Sequence, residues 1–84
     1  MRQSRVVTLY SRPGCHLCED ALAGLQRLRA EIAFDIRELD ISGEEALLEA
    51  YFDRIPVVEL DGVELCDCVL DEDLVRDALL ADRS

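Results

Sequence analysis

Arg5-Val6-Val7-Thr8-Leu9-Tyr10-Ser11-Arg12-Pro13-Gly14-Cys15-His16-Leu17-Cys18 joins two unlike patterns across one turn. Its first part, Arg5 to Tyr10, is a short run rich in β-branched residues, which reads as a buried strand. Ser11-Arg12-Pro13-Gly14 is a turn signal. From Cys15 to Ile32 the apolar spacing becomes helical, with Leu17, Ala21, Gly24, Leu25, Leu28 and Ile32 on one face. Arg27, Arg29 and Glu31 fall on the opposite, watered side. Two cysteines therefore stand where a strand turns into a helix.

Beyond that helix, Phe34 to Ile41 reads as a second strand. Its apolar parity shifts between Ile36 and Leu39, which predicts a bulge or an early end. Ser42-Gly43-Glu44-Glu45 has the form of a capping box, Ser42 at N-cap and Glu45 at N3. The helix it opens should run to about Phe52 and bury Leu47, Leu48 and Tyr51. Ile55 to Leu60 is a third strand that begins with a proline, where a missing N–H is tolerated. Asp61-Gly62 is a two-residue hairpin signal, and Val63 to Cys68 is the return strand. Asp71 caps a last helix whose apolar side carries Leu74, Val75, Ala78 and Leu79, with Leu70 and Val75 placed as a hydrophobic staple. The order is β-α-β-α-β-β-α. Strands joined by a helix run parallel with a right-handed crossover, and the last two strands form an antiparallel hairpin. An α/β fold with a mixed four-stranded sheet and helices on both faces satisfies these constraints.

Composition narrows the function. The chain has 84 residues, nine basic and 19 acidic side chains and a formal charge of −10. That length suits one domain, residues 1–84, and half the residues are apolar, so a core is expected. All the cations are Arg, none Lys, and no basic cluster is present. Nucleic acid and anionic membranes are therefore excluded as expected partners. Met1 to Tyr10 has no apolar stretch long enough for a signal peptide, and no run has membrane length. Four cysteines are too few for a disulfide scaffold. The expectation is a cytoplasmic monomer in a reducing setting, where cysteine pairs mean redox chemistry or metal rather than staples.

Cys15 and Cys18 sit three residues apart on one helical turn, close enough to form a disulfide. The first occupies the helix N-terminus, where backbone N–H groups lack internal partners. Those donors and the positive end of the helix dipole stabilise a thiolate. Cys15 is thus the expected nucleophile and Cys18, one turn deeper, the resolving thiol. Arg12, the only cation near Cys15 in sequence, and the adjacent His16 are candidates to tune that thiolate. The acidic side chains serve solubility and helix starts, or steer a basic protein partner.

The run from Thr8 to Ala21, followed by Ile55-Pro56-Val57, resembles the glutaredoxin-like proteins of the thioredoxin superfamily, in particular the small bacterial glutaredoxin-like domains. The resemblance covers nearly the whole chain in element order. It implies a thioredoxin-like fold, a small thiol–disulfide oxidoreductase and a cis Ile55–Pro56 bond lying against the redox pair. It also implies that Ile55 and Pro56 offer the backbone edge that pairs with an extended substrate. No bound cofactor is implied beyond the dithiol itself; partners are protein or small-molecule thiols and disulfides. The sequence departs from glutathione-using members. His16-Leu17 separates the cysteines in place of Pro-Tyr, no Lys is present, and a Gly-rich turn before the last helix is missing. Glutathione is an anion, and Glu19 and Asp20 follow the pair, so it ranks below other thiols as partner.

Cys66 and Cys68, at i and i+2 on a strand, should share a face with Glu64, leaving Leu65 with Val63 on the other. Three readings of them stand: packing residues, a second redox pair, or completion of a metal site with Cys15 and Cys18. A metal or iron–sulfur module is accordingly the first alternative function. A non-catalytic acidic adaptor on the same fold is the second.

Overall fold

A computed structural model describes residues 5–81. The strands and helices follow in the expected order: β1 (Val6–Ser11), α1 (His16–Arg29), β2 (Asp35–Asp40), α2 (Glu45–Tyr51), β3 (Val57–Leu60), β4 (Val63–Asp67) and α3 (Glu72–Ala81). A 3-10 turn over Ile41–Gly43 precedes α2. The sheet runs β2-β1-β3-β4. β1 pairs with β2 in parallel, and with β3 antiparallel; β3 pairs antiparallel with β4. This is the mixed α/β sheet of the thioredoxin-like fold.

Alternation along the central strands divides the sheet into two faces. Val7 and Leu9 of β1 with Val58 and Leu60 of β3 point to one face, where Ala21, Leu25 and Leu28 of α1 and Val75 and Leu79 of α3 close the core. All are nearly or wholly buried. At roughly 1.5–3 kcal/mol per fully buried aliphatic side chain, this face carries most of the driving force for folding. The opposite face bears Tyr10, whose ring stacks on Tyr51 of α2 with centroids 4.5 Å apart. The sheet thus has helices on both sides.

Several sequence expectations are corrected. β2 shows no bulge: it pairs with β1 in unbroken register from Val6↔Asp35 to Ser11↔Asp40. Ile36 and Leu39 point to opposite faces because both faces carry apolar cover, so the parity shift marks no irregularity. The capping box does not form. The Asp40 carboxylate accepts both the Ser42 N–H at 2.9 Å and the Ser42 hydroxyl at 2.6 Å. This closes the 3-10 turn, and Glu44 becomes the N-cap of α2 without a side-chain bond. No residue of α2 is fully buried; Leu47, Leu48 and Tyr51 stay half-exposed because, among the described residues, no further element covers its two turns. Leu17 and Leu74, assigned to apolar faces, are 50% and 40% exposed.

The bulge lies elsewhere. β4 slips against β3 so that Val58 faces Cys66 while Glu59 faces Glu64, leaving Leu65 as the extra residue. Leu65 and Cys66 both pack on the α1/α3 side. Glu64 pairs with Glu59, on the other side. Cys68 has left the strand in a left-handed conformation, φ 68°. Cys66, Cys68 and Glu64 therefore do not share a face, since one inserted residue reverses the parity that the spacing assumed. At the other end of this hairpin, Asp61 and Gly62 both adopt positive φ, as a type I′ turn requires.

Candidate functional site

The loop after β1 contains Gly14 at φ 79°, a conformation glycine adopts without penalty. It reverses the chain so that Cys15 falls at the N-cap of α1, with extended backbone angles of −94° and 107°. The Cys18 N–H points back at the Cys15 sulfur, 3.1 Å away. A sulfur thus fills the place that Ser or Asp usually takes in capping a helix. The two sulfurs lie at disulfide distance, with Cα atoms 5.2 Å apart.

The pair is asymmetric toward solvent. Cys15 is partly exposed, whereas Cys18 is 3% exposed and joins the buried face of α1. The first cysteine is open to solvent and the second is nearly closed off from it. An N–H donor at a helix start, aimed as this one is at a sulfur, favours the charged form of a thiol.

A cleft of about 330 Å³ opens beside the pair, lined by Arg12, Gly14, Cys18, Glu19, Glu38 and Asp40. Its floor includes Ser11, 4% exposed, whose hydroxyl donates to Glu38 at 3.0 Å. Arg12 stands at the rim. Asp40 is held below the usual carboxylate range, first by the Ser42 hydroxyl and amide and then by the Arg12 guanidinium. His16 is almost wholly exposed and lies 3.7 Å from Glu19, an acid, on the solvent side of the helix start.

Ile55 and Pro56 occupy the same end of the sheet. The antiparallel pairing sets Val57 beside Tyr10, so Pro56 begins β3 level with the end of β1, from which the cysteine loop departs. The Ile55–Pro56 bond is cis and Pro56 is buried. The structure thus brings Arg12, Cys15, Cys18, Ile55 and Pro56 to one end of the sheet.

The second cysteine pair is different. Cys66 is half-buried, and desolvation pushes its thiol above the usual value. Cys68 is exposed in the turn that leads to α3. Among the described residues, no group of three or more His, Cys, Asp or Glu is arranged to hold a metal ion. The four cysteines are therefore not gathered into one ligand set.

Two features escaped the sequence reading. One is the hydrogen bond from the buried Ser11 hydroxyl to the exposed Glu38. The other is an aromatic and cationic stack, Arg54 over Tyr51 at 5.6 Å and Tyr51 on Tyr10. The available signal was Tyr10 itself, an aromatic on the strand face opposite Val7 and Leu9.

A family model described as "Glutaredoxin-like domain (DUF836)" matches residues 6–80. An uncharacterized protein of Mycobacterium tuberculosis is 35% identical over 75 residues, 83% of this chain and 77% of that protein. Protein Ne2328 from Nitrosomonas europaea, solved by NMR, superposes with a TM-score of 0.82 at 36% identity, over 94% of this chain and 95% of that one. The crystal structure of the structural-genomics target XcR50 from X. campestris gives 0.76 at 36% identity, over 92% and 99%. A thioredoxin from Halobacterium salinarum gives 0.68 at 23% identity, over 93% and 74%, a likeness of fold. No helix among the described residues is long and apolar enough to cross a membrane.

Proposed function

Because the chain belongs to the glutaredoxin-like domain family, we propose that it is a small thiol–disulfide oxidoreductase working through Cys15 and Cys18. The observation that carries this reading is the asymmetric pair: an accessible sulfur at a helix N-cap and a buried sulfur one turn on.

In the reductive direction the Cys15 thiolate attacks one sulfur of a substrate disulfide. A mixed disulfide forms and the other substrate sulfur leaves as a thiolate, which takes up a proton. Cys18, deprotonated, then attacks the Cys15 sulfur. The Cys15–Cys18 disulfide forms and the second substrate thiol is released. Two electrons have passed from the protein to the substrate, and an external dithiol reductant restores the pair. Ile55 and Pro56 offer the backbone edge along which an extended substrate lies. Arg12 is the cation that favours the thiolate. His16 contributes less, since it faces Glu19.

Protein or small-molecule disulfides fit this site better than glutathione. The cleft beside Cys18 presents the carboxylates of Glu19, Glu38 and Asp40 against Arg12 alone. The chain has no Lys and a charge of −10, so an anionic thiol is repelled on approach. The reading needs no cofactor besides the dithiol, and it fits a cytoplasmic monomer in a reducing compartment.

The experiment is substitution at each sulfur. Cys15→Ser should abolish reduction of a peptide disulfide. Cys18→Ser should retain the mixed disulfide, visible by mass spectrometry as the parent mass plus the bound thiol. Full activity in both variants would remove the dithiol reading.

A further inference from the structure

Arg54, the residue immediately before the Ile55–Pro56 edge, has two of its three guanidinium nitrogens and both backbone polar groups bonded. Its Nε donates to Asp67 at 3.0 Å, and its terminal nitrogen is paired with Glu64. Those two carboxylates flank the bulge at Leu65, since Glu64 faces Glu59 and Asp67 faces Val57. One guanidinium thus spans the irregular part of the edge strand. The same group lies over Tyr51 of α2, which stacks on Tyr10 of β1, whose hydroxyl donates to Glu59 at 3.2 Å. The backbone is equally tied. The Arg54 N–H donates to the Tyr51 carbonyl at 2.8 Å, and the Arg54 carbonyl accepts the Cys68 N–H at 2.9 Å. The next amide, that of Ile55, also goes to Tyr51, at 3.1 Å.

Stability alone is a poor account of this investment. The Arg54, Glu64 and Asp67 side chains are 36–39% exposed, and ion pairs so open to water typically contribute under about 1 kcal/mol each. What the arrangement supplies is a fixed distance. On one side it grips β4. On the other, through Tyr51 and Tyr10, it reaches β1, the strand that ends in the cysteine loop. Ile55 and Pro56 follow directly from those anchors.

We propose that Arg54 is the positioning residue of the site, joining β4, α2 and β1 so that the Ile55–Pro56 edge holds an extended disulfide substrate in line with the Cys15 sulfur. The proposal rests on the dithiol reading above. It concerns binding of a chain-like substrate, not the reactivity of the sulfur. A small disulfide that needs only Cys15 should be indifferent to Arg54.

The test compares a peptide disulfide with the small uncharged disulfide bis(2-hydroxyethyl) disulfide. Arg54→Met keeps the side-chain stem and removes the fork. It should raise KM for the peptide about tenfold, with kcat and the rate on the small disulfide held within about twofold, a loss of about 1.4 kcal/mol confined to binding. Arg54→Lys, a single point charge that cannot grip two carboxylates at once, should fall between Met and the parent. Glu64→Gln combined with Asp67→Asn should reproduce the Met result with Arg54 in place, and it decides the matter if Arg54→Met fails to fold. An unchanged peptide KM overturns the proposal. So does an equal loss on both substrates, which would mark a general structural role. A parent protein that reduces neither disulfide overturns the dithiol reading and this proposal with it.

Discussion

Cys66 and Cys68 sit two residues apart and differ in almost every respect that governs a thiol. Cys66 packs against the core, and burial raises the cost of its charged form. Cys68 is exposed and holds a left-handed backbone that favours glycine. Sequence spacing alone treated them as a matched pair. What separates them is the extra residue at Leu65, which no count of alternating positions exposes. In the oxidised protein, where Cys15 and Cys18 are joined, iodoacetamide near neutral pH should label Cys68 first and Cys66 at least about tenfold more slowly, because the thiolate is the reactive species. Peptide mapping after timed quenching checks this. Equal labelling of the two would contradict the burial described for Cys66.

At the level of elements, the parts with strong local chemistry were legible. The β-branched run, the turn residues and the helical spacing around Cys15 and Cys18 located the strand, the loop and the helix. Asp61-Gly62 marked the hairpin, and Asp71 does cap α3 through the Leu74 N–H at 3.1 Å. The readings that failed involved competition or partners distant in sequence. Ser42 was expected to cap a helix, but Asp40, two residues earlier, captures its hydroxyl and amide. The seam between α1 and α3 was likewise invisible until packing placed Gly24 under Leu70 and Glu72. A Cβ at Gly24 would fall inside contact distance of the Leu70 methyl and lie 2.9 Å from the Glu72 carboxylate oxygen. That carboxylate pairs with Arg27 of α1. Gly24→Ala gains about 1 kcal/mol of helix propensity but meets an overpacking cost of about 1–3 kcal/mol. Both contacts are ends of flexible side chains, so the variant should fold and be less stable by about 1 kcal/mol. Urea unfolding measures this; a clear gain in stability would show that the seam yields freely.

For the molecule as a whole, stability should depend on pH at both ends of the range. The Asp61 carboxyl is held below 3.8, first by the Arg5 guanidinium and then by the Val6 N–H. A folded value below the unfolded one gives stability that is present above about pH 4 and lost as pH falls through the folded value. Tyr10 behaves oppositely. Burial, and then the Glu59 carboxylate, push its hydroxyl up from 10.0 to about 12, so its contribution is present below pH 10 and fades as pH rises toward 12. Asp61→Asn, which retains a residue tolerant of positive φ, should remove part of the acid loss, under about 1 kcal/mol for so exposed a pair. Tyr10→Phe should remove part of the alkaline loss. Subtracting parent from variant in urea titrations across pH cancels the self-repulsion of a chain with a charge of −10. An Asp61→Asn difference that does not vary between pH 3 and 7 would refute the assignment. The two strands at the sheet's margins carry a different consequence. β2 turns Asp35, Arg37, Glu38 and Asp40 outward along one edge. β4 breaks its ladder at Leu65 on the other. A foreign strand would have to strip water from charges on one side and match an offset row of amides on the other. Both margins are therefore poor templates for the addition of a further strand.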